Sequence, residues 1–140
     1  MKKIYTSESI YIDRSKIKKA DRGVFANCDI KKDAIIEICP IVEVSKNDRS
    51  NLKDSLLVTY FLYFGKNKER LAIMLGFGSI YNHSYQPNAK FIILPKEKII
   101  NFVALSDIKK GEEITFNYRN DENINDRKTP LWFESVLKEN

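Results

Sequence analysis

The 140-residue chain has little of what metal-dependent and thiol-dependent sites are built from. It contains one histidine, His83, and two cysteines, Cys28 and Cys39, which lack a CxxC spacing. This inventory excludes a zinc site, and no Gly-rich phosphate loop is present either. The two thiols are typical of a reducing compartment, where cysteines stay reduced and packed. A thiol hydrolase would pair one cysteine with His83, but nothing marks either cysteine as activated.

Long apolar runs are also absent. No segment approaches the ~18 apolar residues that span a bilayer, and residues 1–13 hold no apolar segment of signal-peptide length. We therefore expect no membrane association and a cytoplasmic protein, or a nuclear or nucleoid-associated one if its substrate is chromatin. Five glycines and four prolines leave little material for linkers. The length predicts a single domain over residues 1–140.

Charge of one sign is not concentrated anywhere along the chain. The 24 Lys and Arg residues exceed the 19 Asp and Glu residues by five, and the excess is spread over the whole sequence. Such a balance is typical of a solvated, lysine-rich surface. Nucleic acid is therefore not expected as the main partner, although a basic chromatin-associated or nucleic-acid-associated protein remains an alternative.

What the sequence does contain is a series of short β-rich pieces bounded by turn residues. Two hairpins are predicted, in which 56–64 pairs with 71–75 and 90–94 pairs with 98–105. A buried helix over 56–64 is the alternative, because periodicity cannot separate the two over so short a run. Pro40, within the β-branched stretch 34–44, indicates a sheet edge or a bulge. Thr129 and Pro130 predict the start of a short terminal helix.

One segment is echoed later in the chain. Residues 26–32 (ANCDIKK) and 104–110 (ALSDIKK) share Ala, Asp, Ile, Lys and Lys at the same positions. We interpret the echo as a reused strand–turn–strand corner, in which the Asp opens the turn and both lysines face water. It supports a mainly β fold.

The stretch 76–88 (GFGSIYNHSYQPN) is the strongest candidate for a site. It holds the only histidine and three adjacent polar residues, Asn82, His83 and Ser84, between two apolar runs. Such a polar block is poor core material.

Three motifs in this order resemble the SET-domain protein-lysine methyltransferases. They are Asp21-Arg22-Gly23, then the NHSxxPN block from Asn82 to Asn88, then the GEExxxxY block from Gly111 to Tyr118. The resemblance covers about residues 9–120 and is to the small bacterial or viral type, without pre-SET or zinc-binding post-SET modules. It implies a mainly β, β-clip-like fold of short sheets with few short helices. It also implies a C-terminal pseudoknot that brings Asn82 and Tyr118 together, with residues 121–140 as a tail that closes the site.

The resemblance also implies an activity, which is methyl transfer from S-adenosyl-L-methionine to the ε-amine of a lysine in a histone, nucleoid or ribosomal protein. Tyr118 would be the catalytic tyrosine. The implied cofactor-binding residues are Arg22, Gly23, Val24, Asn82, His83 and Trp132. The implied lysine channel consists of Tyr60, Tyr63, Phe91 and Phe116. Trp132 would pack near the adenine, or alternatively would anchor a terminal helix to the core.

The chemistry of such a transfer needs no dedicated base. A sulfonium methyl group is already activated, so the enzyme mainly aligns an amine with it and excludes water. A free lysine has a pKa of about 10.4, and an apolar channel beside a sulfonium charge lowers that pKa. We therefore assign His83 to holding the cofactor and the fold, and not to proton transfer.

Several positions depart from the family pattern. Asp21 stands where the first motif has its first Gly, Tyr85 stands where a Cys often follows NHS, and Asn117 replaces an Asp before Tyr118. These departures leave a non-catalytic SET-like binding module as an alternative. A small domain of this kind could complete its site by forming a homodimer, although no sequence feature requires it.

Overall fold

The computed structural model describes residues 1–66 and 69–119. Trp132, the predicted tail over 121–140 and the predicted terminal helix lie outside the described residues. Within them, the mainly β architecture is confirmed. The strands are β1 (Ile10–Arg14), β2 (Arg22–Ala26), β3 (Ile35–Val44), β4 (Phe61–Phe64), β5 (Arg70–Met74), β6 (Asn82–His83), β7 (Ala89–Leu94), β8 (Ile99–Ala104) and β9 (Glu113–Phe116).

The strands form two sheets. One has the order β1-β2-β9-β6, and the other has the order β4-β5-β3-β8-β7. All pairs are antiparallel except β6–β9, which is parallel. Buried aliphatic and aromatic side chains from both sheets meet in one core, which includes Val24, Cys39, Phe102 and Ile114. No helix among the described residues is long and apolar enough to cross a membrane.

Both predicted hairpins are present. β4 pairs with β5 and β7 pairs with β8 in antiparallel registers. The strand prediction holds for the second half of 56–64, because a 3-10 helix (Leu56–Tyr60) leads directly into β4. None of the residues of that helix is buried, so the alternative of a buried helix is wrong. The Ser55 side chain accepts a hydrogen bond from the Leu57 N–H and so caps that helix. A four-residue α-helix, α1 (Arg49–Leu52), precedes it.

The prediction that Pro40 marks a sheet edge or a bulge is wrong. β3 is the central strand of its sheet, and its only register shift lies between Ile35 and Glu37. Pro40 is tolerated because it sits where β3 changes partner. Its last β8 partner is Ile99, and the pairing with β5 begins one residue later, at Ile41 opposite Met74. The missing N–H therefore interrupts neither ladder.

The echoed segments form corners as predicted, and they also bond to each other. Ile30 and Ile108 exchange both backbone hydrogen bonds, each at 2.8 Å. Asp29 Oδ1 accepts from the Lys110 N–H at 2.9 Å, and Asp107 Oδ1 accepts from the Lys32 N–H at 2.9 Å. The lysines face solvent. The repeat is therefore an approximately two-fold pairing that fastens the start of β3 to the approach to β9.

Truncation of Ile108 to Ala tests how much this corner contributes to stability. Ile108 is 1% exposed within the core, so the change leaves a cavity and should lower the free energy of unfolding by about 2–5 kcal/mol. Ile92→Ala is the matched control, since Ile92 is 43% exposed and its truncation should cost less than about 0.5 kcal/mol. Denaturant unfolding measures both variants. Equal costs would show that the corner is not part of the core.

Candidate active site

The candidate site is organised by the short parallel pair β6–β9. Asn82 lies opposite Thr115 and His83 opposite Phe116. The pairing is completed by side chains, because Asn88 Nδ2 donates to the Glu113 carbonyl and Asn88 Oδ1 accepts from the Thr115 N–H, both at 2.9 Å. This arrangement brings the NHSxxPN block against the GEExxxxY block. It is the contact that the predicted pseudoknot requires.

A second set of contacts joins β2 to this pair. Asn82 Nδ2 donates to the Arg22 carbonyl and to Glu113 Oε1, both at 2.8 Å. The Ser15 hydroxyl donates to the same carboxylate at 2.8 and 3.0 Å. All three predicted motifs therefore meet at one carboxylate, that of Glu113.

Gly23 lies directly against the carboxylate of Glu113. A Cβ atom at residue 23 would lie 2.2 Å from Glu113 Oε1 and 3.0 Å from Asn82 Nδ2. The absence of a side chain therefore makes room for the chain's own carboxylate. No local pattern in the sequence indicates this contact, because Gly23 and Glu113 are distant along the chain.

Tyr118 follows β9 and is held at both its backbone and its side chain. Its N–H donates to His83 Nδ1 at 3.1 Å, and its hydroxyl donates to the Tyr81 carbonyl at 2.7 Å. Burial, together with the neighbouring Tyr60, raises the pKa of Tyr118 to about 12. The phenol therefore stays protonated over the working pH range.

His83 uses a ring nitrogen to hold the backbone. Because Nδ1 accepts the Tyr118 N–H, that nitrogen carries no proton in this arrangement. The ring also meets Tyr118 and Tyr85 edge-on, at 5.2 and 4.4 Å between centroids. These contacts agree with a positioning role for His83 and give no support to a role as general base.

The predicted channel residues divide into two groups. Phe116 packs its ring 4.9 Å from Tyr118, and Tyr60 is close enough to affect the Tyr118 hydroxyl. Phe91 is buried on the other side of Phe116, at 5.5 Å between centroids. Tyr63 is exposed on β4, between the buried residues Leu62 and Phe64. The structure thus brings Phe91, Phe116 and Tyr118 into one series of ring contacts, whereas no such contact among the described residues places Tyr60 or Tyr63 in it.

The predicted cofactor-binding residues of β2, Arg22 to Val24, also differ in where their side chains lie. Arg22 is exposed at the start of β2, and its carbonyl reaches Asn82. Val24 is fully buried and lies opposite both Ile12 of β1 and Ile114 of β9. Arg22 and Gly23 are therefore the residues of this motif that lie beside the polar cluster, whereas the Val24 side chain belongs to the core.

Comparison with known proteins is consistent with this geometry. The profile described as "SET domain" matches residues 21–119. A histone-lysine N-methyltransferase of Schizosaccharomyces pombe, specific for H3 lysine-37, is 32% identical over 81% of this chain and 70% of its own length. A histone-lysine N-methyltransferase of Halocynthia roretzi is 27% identical over 96% of this chain. The match covers only 39% of that relative.

Solved structures agree with the fold. The crystal structure of a provisionally assigned histone methyltransferase of Plasmodium falciparum matches with a TM-score of 0.61 and 34% identity, over 82% of this chain and 95% of that one. The Chaetomium thermophilum Polycomb Repressive Complex 2, bound to S-adenosylmethionine, matches with a TM-score of 0.65 over 97% of this chain and 17% of that one. At 21% identity the second match shows the fold alone.

A double-mutant cycle tests why residue 23 is Gly. Gly23→Ala should destabilise the protein by about 1–3 kcal/mol, because the new methyl group overlaps the Glu113 carboxylate. In a Glu113→Ala background the same substitution should cost much less, which gives a coupling energy of about 0.5–3 kcal/mol by denaturant unfolding. Strictly additive costs would mean that the clash with Glu113 is not what excludes a side chain.

Proposed function

The chain belongs to the SET-domain family, and we propose that it transfers a methyl group from S-adenosyl-L-methionine to the ε-amine of a lysine in a protein substrate. The observation that carries the proposal is the placement of Tyr118. Its hydroxyl donates to the Tyr81 carbonyl at 2.7 Å and its N–H donates to His83 Nδ1 at 3.1 Å, which fixes it next to the NHSxxPN block.

The polar cluster fits the amino-acid end of the cofactor. Both amide hydrogens of Asn82 are used, toward Arg22 and Glu113, so the side chain offers its carbonyl oxygen to a bound group. A carbonyl oxygen accepts from the ammonium group of an amino acid. Arg22 and Gly23 lie beside it and would add backbone contacts. His83 would contribute through its backbone, and Trp132 stays a predicted adenine contact.

Tyr118 would act on the transferring methyl group through its oxygen. When bound, the cofactor supplies a methyl group on a positively charged sulfonium. Because the Tyr118 proton points at the Tyr81 carbonyl, the lone pairs of the phenol oxygen face the other way. A neutral oxygen with its lone pairs so directed stabilises nearby positive charge without moving a proton. The raised pKa of Tyr118 keeps it in that state.

The substrate lysine would enter between aromatic rings. Phe116 packs against Tyr118, and Phe91 contacts Phe116 from the core. Tyr60 contributes to the raised pKa of Tyr118. Apolar walls disfavour the ammonium form and so lower the pKa of the lysine. They also exclude water from the reaction. Tyr63 stays a prediction for the outer part of the channel.

The proposed substrate class is supported by the relatives. The two that are described as histone-lysine N-methyltransferases support a histone, and with it a chromatin location, while a nucleoid or ribosomal protein is the other substrate type. The single domain over 1–140 and the possibility of a homodimer stay predictions. A non-catalytic SET-like binding module is the alternative function, and Asp21 in place of the motif's first Gly is the observation that favours it.

Tyr118→Phe tests the assigned role of the hydroxyl. The variant keeps the ring but loses the oxygen, so we expect methyl transfer to fall by about a hundredfold or more, with little change in the S-adenosylmethionine Kd measured by calorimetry. Tyr11→Phe is the matched control, since Tyr11 lies on β1 and stacks on Phe25. Unchanged transfer by Tyr118→Phe would show that the tyrosine is misassigned.

The pH dependence of single-turnover methyl transfer tests the protonation states. The rate should rise with pH as the substrate lysine loses its proton, and it should level off below that residue's free pKa of about 10.4. The Tyr118 phenol should cause no decline before its own pKa of about 12 is approached. A falling limb centred below pH 9, in protein shown by circular dichroism to be folded, contradicts this assignment.

A further inference from the structure

A buried carboxyl group lies in β3 beneath the candidate site. Glu37 is 8% exposed and is the only acidic residue that is buried among the described residues. The register shift between Ile35 and Glu37 explains how a strand can bury it beside Ile36. A bulge of this kind turns successive side chains toward the same side of a sheet. The sequence analysis assigned no role to Glu37.

Glu37 bonds to the segment that leads into the NHSxxPN block. Its Oε1 accepts from the Phe77 N–H at 2.9 Å, and its Oε2 accepts from the Tyr81 hydroxyl at 2.8 Å. Gly76 has a φ of +64°, and a Cβ atom there would lie 2.6 Å from Glu37 Oε1. The turn that precedes the site is therefore shaped around this carboxyl group.

Tyr81 links that carboxyl group to Tyr118. Its side chain is fully buried, with its ring stacked on Phe102 at 4.2 Å between centroids. Burial, and after it the Glu37 carboxyl, raises the pKa of Tyr81, so its hydroxyl remains a donor. Its backbone carbonyl accepts the Tyr118 hydroxyl at 2.7 Å. The side chain of Tyr81 is therefore oriented by Glu37. Its backbone carbonyl in turn orients the Tyr118 hydroxyl.

We propose that Glu37 is a positioning residue for Tyr118, acting through Tyr81. One carboxyl group accepts two hydrogen bonds, from the Phe77 N–H and from the Tyr81 hydroxyl, and so holds both ends of the segment that leads to the Tyr81 carbonyl. That carbonyl sets the direction of the Tyr118 hydroxyl. Without Glu37 the Tyr81 carbonyl could change its orientation. The Tyr118 hydroxyl that donates to it would then point in a different direction. The inference rests on the proposed function, because it assigns Glu37 to the same reaction.

Two variants separate positioning from a contribution to stability alone. Tyr81→Phe removes one oxygen atom and keeps the ring and the carbonyl. Glu37→Gln keeps an acceptor for Phe77 and is the conservative replacement, whereas Glu37→Leu removes both acceptors. Ile108→Val is the control, because it alters a buried side chain in the corner formed by Ile30 and Ile108 and leaves the Glu37 hydrogen bonds in place. Thermal unfolding shows which variants fold, and Tyr81→Phe serves as the test if both Glu37 variants fail.

The first readout is methyl transfer to histones. We expect Tyr81→Phe to lower kcat by about tenfold to a hundredfold, as small displacements of a reacting group do, while KM for S-adenosylmethionine changes little. Glu37→Leu should lower kcat more than Glu37→Gln does, and Ile108→Val should keep the kcat of the unmodified chain. A lowered melting temperature with unchanged kcat in Tyr81→Phe overturns the proposal.

The second readout does not depend on activity. The ultraviolet titration of Tyr118, assigned by difference from Tyr118→Phe, should shift to lower pH in Tyr81→Phe, because a loosened carbonyl no longer holds the phenol proton. Ile108→Val should leave that titration in place. If the unmodified chain transfers no methyl group, the proposed function fails, and this titration alone decides the role of Glu37. An unchanged Tyr118 titration in Tyr81→Phe then overturns it.

Discussion

The site depends on the parallel pairing of two very short strands, β6 and β9. Two residues of β6 cannot hold such a pair by backbone bonds alone, so side chains complete it, with Asn88 bonded to both Glu113 and Thr115. The pairing places residues 82–83 beside the segment that ends at Tyr118. That register brings His83 to the Tyr118 backbone.

Two carboxyl groups extend this arrangement into the rest of the fold. Glu113 joins β9 to Asn82 and to Ser15, and Asn82 in turn bonds the Arg22 carbonyl at the start of β2. Glu37 joins β3 to the turn before β6. Each lies against a glycine at which a Cβ atom would come within 3 Å of a carboxyl oxygen, Gly23 for Glu113 and Gly76 for Glu37. Because buried polar groups are costly unless they are hydrogen-bonded, such clusters tolerate few alternative geometries. They give the site rigidity that a mobile loop would lack.

Much of this could be predicted from sequence, because local patterns determine it. The two hairpins and the echoed corners followed from strand patterns and turn residues, and the meeting of the NHSxxPN and GEExxxxY blocks was implied by the resemblance to the SET-domain family. The reason for Gly23, the position of Pro40 and the burial of Glu37 could not be predicted, since each depends on partners distant in sequence. Glu37 looked like an ordinary polar residue in a β-rich stretch, and only the bulge in β3 turns it inward.

The central claim is that the chain methylates lysine in a protein. The most direct measurement incubates it with S-adenosylmethionine labelled in the methyl group and with histone octamers, followed by hydrolysis of the protein and separation of the labelled amino acids. The account predicts label in methylated lysine. Label in an amino acid other than lysine would contradict it, and cofactor binding by calorimetry without any label would exclude histones as the substrate.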